Sequence, residues 1–205
     1  LDFDFFAHLG DVSCGASTTT PEMIESQIEG YLEYFREAKG NIPVFIAIGN
    51  HDPGIYYHNA VADGTIYTLD GDYLYKNFTG RSASRDTVFG GAENGGYCYR
   101  DFNDKKLRVF LLNTSEKIVA AQLDKATYGA QRVWFANALL DLNSKANASD
   151  WGFIVLSHYP ADYGRNMPLS ELLKAYVTGT SFTITDPVNA DWAGDGTSMS
   201  INFAN

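Results

Sequence analysis

Three apolar runs in this chain each empty into a short polar stretch whose side chains can bind a metal or move a proton. That repetition does more than any other feature to limit the folds open to it. The fullest case is Phe45-Ile46-Ala47-Ile48-Gly49-Asn50-His51-Asp52-Pro53. An apolar run this short, bounded by Pro43 on one side and by Gly49 and Pro53 on the other, suits a buried strand of a parallel or mixed sheet better than a helix. Phe3 to Leu9 is a second run and ends in Gly10-Asp11, and Trp151 to Leu156 is a third and ends in Ser157-His158-Tyr159-Pro160. Open α/β sheets place their ligands beyond the carboxyl ends of such strands. Any one of these ends, taken alone, reads equally well as a turn in which Asn or Asp bonds to nearby backbone. Independent turns, however, have no reason to present Asp, Asn-His-Asp and His.

The segments between these runs supply the connections. Thr20 as N-cap, Pro21 at the first helical position and Glu22 in the first turn predict a helix. Ile24, Ile28, Tyr31, Leu32 and Phe35 form its apolar stripe, and Gly40 closes it. The next strand, Ile42 to Ile48, completes a βαβ unit with both polar loops on one edge. His8 in the opening strand reads as a buried neighbour of the site, not as a ligand. Leu107 to Leu112 is a further strong strand, ending at Asn113-Thr114, and it forms a hairpin with Tyr97 to Phe102 across Asn103-Asp104-Lys105-Lys106. Helices are predicted from Ala130 to Leu142 and from Leu169 to Val177, and weak strand character from Thr178 to Ala204. From Gly54 to Phe102 the chain is rich in Tyr, Phe and Gly and predicts loops with short strands, its aromatic residues forming a satellite core. His58, on that stretch, reads as a surface residue.

At 205 residues the length suits one domain with a large insertion. The formal charge is −10 with only 15 Lys and Arg, which argues against a nucleic-acid substrate, since backbone phosphates are held by clustered cations. Cys14 and Cys98 make neither a disulfide framework nor a zinc ribbon. No apolar run reaches the ~18 residues that a membrane helix needs. Asn77, Asn113 and Asn147 each open an Asn-X-Ser/Thr sequon.

An aspartate, an asparagine and a histidine at one sheet edge form a mixed oxygen and nitrogen donor set, which suits Mn, Fe, Zn or Co better than a thiolate-seeking metal. A carboxylate has two oxygens and can bridge two cations, which suits Asp11. His51, beside Asn50, is placed to protonate or stabilise a leaving oxygen, with Asp52 holding its tautomer.

Gly10-Asp11, Gly49-Asn50-His51-Asp52 and Ser157-His158-Tyr159-Pro160, in that order, resemble the central motifs of the calcineurin-like metallophosphoesterases. The resemblance runs from about residue 3 to residue 160. It implies an α/β fold of two sheets sandwiched between helices, formed by a single domain over residues 1–205 with a Tyr/Gly-rich insertion at about 54–96. It implies a phosphate-ester substrate and two divalent metal ions, with Asp11 bridging both and Asn50 and His158 binding one. His51 then faces the phosphate oxygens with Asp52 behind it, and hydrolysis proceeds by in-line attack of a metal-activated hydroxide.

The family's opening Asp-X-His and closing Gly-His-X-His motifs do not occur in these residues. The expectation that follows is a domain incomplete at both termini. The competing reading is a catalytically degenerate binding or structural module, such as a virion or cell-surface component, that keeps the fold without the chemistry.

Overall fold

The computed structural model describes residues 3–14, 20–39, 42–52, 71–78, 86–90, 96–115, 128–162, 167–184 and 198–204. Strands β1 (Phe6–His8) and β2 (Val44–Ile46) pair in parallel, with helix α1 (Pro21–Lys39) between them in sequence. The start of α1 follows its cap chemistry. Thr20 Oγ1 accepts the Met23 amide at 3.4 Å, and the Thr20 carbonyl accepts that of Ile24 at 3.1 Å. The stripe Ile24, Ile28 and Leu32 is buried against Val44, Ile46 and Ile48. Each such side chain, fully buried, stabilises the fold by about 1.5–3 kcal/mol.

A second sheet has the order β3 (Thr87–Phe89), β4 (Cys98–Phe102), β5 (Leu107–Leu111), β6 (Gly152–Leu156). The β4–β5 hairpin turns at Asn103 to Lys106 as expected, pairing Phe102 with Leu107, whereas β5 and β6 run parallel. Phe110 and Leu112 pack with Phe135 and Leu139 of α3 (Tyr128–Asn143) and with Leu169 and Leu172 of α4 (Met167–Thr178). Val109 and Leu111, on the other face of β5, meet Phe45 and Ala47 of the β2 run. Both runs are thus covered on two faces, which explains why residues 44–48 and 109–112 read as apolar stretches without alternation. Strands β7 (Ser181–Ile184) and β8 (Met199–Asn202) form a separate antiparallel pair. The architecture is mixed α/β.

Where it is described, the stretch from Gly54 to Phe102 holds the expected short strands in β3 and β4 and departs from expectation at one element. A helix, α2 (Gly71–Asn77), stands where loops and strands were expected, and Leu74 and Phe78 are buried against the α1 stripe. Seven residues are too few to show a helical period in the sequence. Most of that stretch, His58 included, lies outside the described residues, as do Gly40 and Pro53.

Arg108, on β5, is a buried charge held by a network of partners. Its guanidinium takes both Asp101 oxygens, at 2.7 and 2.9 Å, and reaches Asp141 Oδ2 at 2.8 Å and the Ala138 carbonyl at 2.6 Å. It also lies 3.8 Å from the centre of the Tyr99 ring. The sequons differ sharply. Asn113 is fully buried, Asn77 donates its amide to the Tyr73 carbonyl at 3.0 Å, and Asn147 is exposed in a left-handed conformation. Burial pushes the Cys98 thiol up to about 12, which makes it inert. Among the described residues no helix is long and apolar enough to cross a membrane.

Candidate active site

The loops that leave β1 and β2 are joined by one carboxylate. Asp52 has no exposed surface, and its Oδ2 accepts the amides of Asp11 at 3.0 Å and Gly49 at 2.6 Å. Its Oδ1 accepts those of Val12 at 2.7 Å and Ser13 at 3.0 Å. Burial pushes this carboxyl above its ordinary range, against the pull of the amides of Ser13, Gly49 and Asp11, and the charge of Asp11 adds to the rise.

The glycine before each polar stretch is there for closeness. A β-carbon on Gly49 would lie 2.2 Å from both the amide nitrogen and Oδ1 of Asp11. One on Gly10, whose φ is +93°, would lie 2.5 Å from the Gly49 nitrogen. Asp11 follows with φ 57°, a left-handed conformation that Asp tolerates better than most residues. It aims the carboxylate at the loop after β2, where Oδ1 accepts the His51 amide at 3.0 Å.

Three of the residues singled out from the sequence converge here. His158 Nε2 lies 2.8 Å from Asn50 Oδ1 and 3.5 Å from Asp11 Oδ2. Its Nδ1 lies 2.7 Å from the Leu9 carbonyl, and because a carbonyl only accepts, Nδ1 carries the proton and donates. A neutral ring then turns the Nε2 lone pair toward the oxygens of Asn50 and Asp11. A metal ion, a proton on Nε2, or an Asn50 amide turned to present its NH₂ would each satisfy facing electron pairs here. A backbone carbonyl that fixes the tautomer is also the usual support of a metal-binding imidazole.

His51 stands beside this group, with Nε2 4.0 Å from Asp11 Oδ2. The hydrogen bonds give His51 and Asp52 different partners. Nδ1 of His51 faces the Cys14 carbonyl at 2.7 Å, while the Asp52 oxygens are taken by backbone amides. Adjacent positions in a turning loop point in different directions, so neighbours in sequence do not pair. His8 is a half-buried neighbour of the site. Its Nδ1 accepts the Gly10 amide at 3.3 Å, its ring lies 4.9 Å from Tyr31, and burial lowers its pKa.

The sequence reading assigned no role to Asn113-Thr114-Ser115, at the end of β5, although the signal was the same one: an apolar run followed by hydrogen-bonding residues. All three are buried at the site's edge. The Leu9 and Cys14 carbonyls that orient the two imidazoles carry no sequence signal.

Among the described residues no three His, Cys, Asp or Glu side chains gather as a ligand cluster. The group here is Asp11, His158 and an asparagine oxygen, a mixed donor set whose chemistry fits a borderline divalent cation such as Mn, Fe, Zn or Co. Carboxylate, amide and imidazole are thus gathered at strand ends of a mixed α/β fold. The family model described as Metallophos, calcineurin-like phosphoesterase, matches residues 1–193, and the chain belongs to that family. The general chemistry of the family is metal-dependent hydrolysis of phosphoesters. No curated protein matches the chain at a significant level.

Proposed function

We propose that this chain hydrolyses phosphate esters with two divalent cations, Asp11 bridging the pair and Asn50 and His158 binding one of them. The observation that carries this reading is the approach of Asn50 Oδ1 and Asp11 Oδ2 to His158 Nε2, at 2.8 and 3.5 Å, from three separate strand ends. Bound there, the cations would lower the pKa of a water and screen the charge of the phosphoryl group.

The protein's own residues supply the rest. His158 donates Nδ1–H to Leu9, which keeps its Nε2 lone pair pointed into the site. His51 donates Nδ1–H to Cys14, and its Nε2 is the atom that holds a proton for the phosphoryl or leaving oxygen. Asp52 touches no substrate in this scheme; it is a positioning residue that locks the Asp11 and Asn50 loops together. The layers α1, β1–β2, β4–β6 and α3–α4 support a two-sheet sandwich flanked by helices; the proposed arrangement is one domain over residues 1–205 with a Tyr/Gly-rich insertion at about 54–96.

Metal analysis of the full chain, with nitrophenyl phosphate and bis(nitrophenyl) phosphate turnover measured with and without Mn²⁺, tests the reading. Metal-dependent turnover supports it. Fewer than one cation per chain together with no metal-dependent turnover would discard it.

A further inference from the structure

Successive residues Thr114 and Ser115 reach into both loops that carry Asn50 and His158. Ser115 Oγ donates to the Ile48 carbonyl at 2.9 Å. The nitrogen of that same peptide unit is the Gly49 amide, which donates to Asp52 at 2.6 Å, so the Ile48–Gly49 peptide, one residue ahead of Asn50, is held at both ends. Thr114 Oγ1 accepts the Tyr159 amide at 2.9 Å, which holds the peptide just after His158.

The brace is itself anchored. The Asn113 amide donates to Gln131 Oε1 at 2.8 Å, and Gln131 Nε2 donates back to the Asn113 carbonyl at 3.0 Å, which ties the strand end to α3. Asn113 Oδ1 accepts the Ser115 amide at 3.1 Å and sets the turn between them. Ser115 is 1% exposed and Thr114 8%, so both hydrogen bonds are shielded from competing water.

We propose that Thr114 and Ser115 are positioning residues that fix the separation of Asn50 from His158, and through it the affinity of the site for a divalent cation. This rests on the phosphoesterase reading above. Neither hydroxyl touches the ligand; each acts through the backbone of a loop that does. Outer partners of this kind change metal affinity by roughly 10- to 100-fold when removed.

The test uses the full chain with Thr114→Val, Ser115→Ala and Thr114→Ser, and reads Mn²⁺ affinity by calorimetry. In the metal-free proteins it also reads the His158 imidazole ¹⁵N resonances and the Asn50 side-chain amide resonances. Thr114→Val is expected to lower Mn²⁺ affinity about 10-fold or more and to shift the His158 signals. Ser115→Ala is expected to lower it similarly and to shift the Asn50 signals. Thr114→Ser keeps the acceptor oxygen and is expected to recover most of the affinity. Wild-type affinity in both deletion variants, with unmoved resonances, overturns the proposal. If Thr114→Val does not fold, a folded Thr114→Ser protein with the full loss of affinity also overturns it. A wild-type chain that binds no Mn²⁺ and turns over no ester sinks the functional reading. The metal-free resonances still decide whether the brace holds the two loops.

Discussion

Asp52 Oδ1 accepts the Val12 amide proton at 2.7 Å across 40 positions of sequence. The bond belongs to a set of four that makes a single buried carboxylate the clasp between two loops. Asp52→Asn, nearly identical in shape, would turn an amide NH₂ toward backbone N–H donors. The expected cost is about 1–3 kcal/mol, the usual penalty for leaving buried donors unpaired. Urea unfolding of the metal-free protein checks it, and an unchanged midpoint would refute the clasp.

Gly49→Ala puts a methyl group 2.2 Å from the backbone nitrogen of Asp11, an atom with no rotamer to move. Overpacking of this kind costs about 1–3 kcal/mol, and relief requires the Asp11 loop to shift. The expected result is a lower melting temperature together with weakened Mn²⁺ binding. Weakened stability with intact metal affinity would show that the Asp11 position tolerates the shift.

His51 and His158 are expected to separate cleanly in kinetics. His51→Ala removes the imidazole proposed to serve the phosphoryl or leaving oxygen and is expected to lower kcat by roughly 10²–10⁴ while leaving metal affinity in place. His158→Ala and Asn50→Ala are expected to weaken metal binding itself. Wild-type turnover of His51→Ala at saturating metal would remove His51 from the reaction.

Asp101 gives a pH signature far from the site. Burial works to raise its pKa, but the hydrogen bonds and charges of Arg108 and Lys145 outweigh it and hold the carboxyl below its ordinary value of 3.8. A depressed folded-state pKa means the unfolded chain binds the proton more tightly. The stabilisation is therefore complete above 3.8 and is lost as pH falls through the lower folded value. Stability measured between about pH 5 and pH 2 is expected to fall more steeply in the wild type than in Asp101→Asn. An equal slope in both would contradict the pairing.

Arg108→Met leaves Asp101 half-buried without its bidentate partner. Lys145 still pairs with Asp101, so the expected cost is that of lost charged hydrogen bonds, about 1.5–3 kcal/mol, read as a loss of unfolding free energy with the site geometry preserved. A change below about 1 kcal/mol would mean that the network contributes no more than a surface pair does.

The sequence made legible what repetition and periodicity can express. The β2 and β5 runs are covered on both faces, so their burial left the apolar stretches at residues 44–48 and 109–112, and the cap at Thr20 marked the start of α1 directly. Asp11, Asn50 and His158 were visible because each follows such a run. What stayed hidden depended on direction or on backbone. Asp52 follows His51 in sequence, yet its oxygens turn back to the Asp11–Ser13 amides, and no residue type announces that. The carbonyls of Leu9 and Cys14 belong to the main chain and leave no trace in side-chain identity. Helix α2 spans two turns, too short for its period to rise above the Tyr- and Gly-rich background.

The Leu9 to His158 hydrogen bond closes a span of 149 positions, so the imidazole proposed as a metal ligand is oriented by backbone remote from it in sequence. The site is therefore a property of the assembled topology, and an unfolded chain holds no preformed version of it. Occupancy and folding then become one equilibrium. A cation present at about 100 times its Kd would add roughly 2.7 kcal/mol to the stability of the whole domain, and a chelator would withdraw the same amount from strands it never touches.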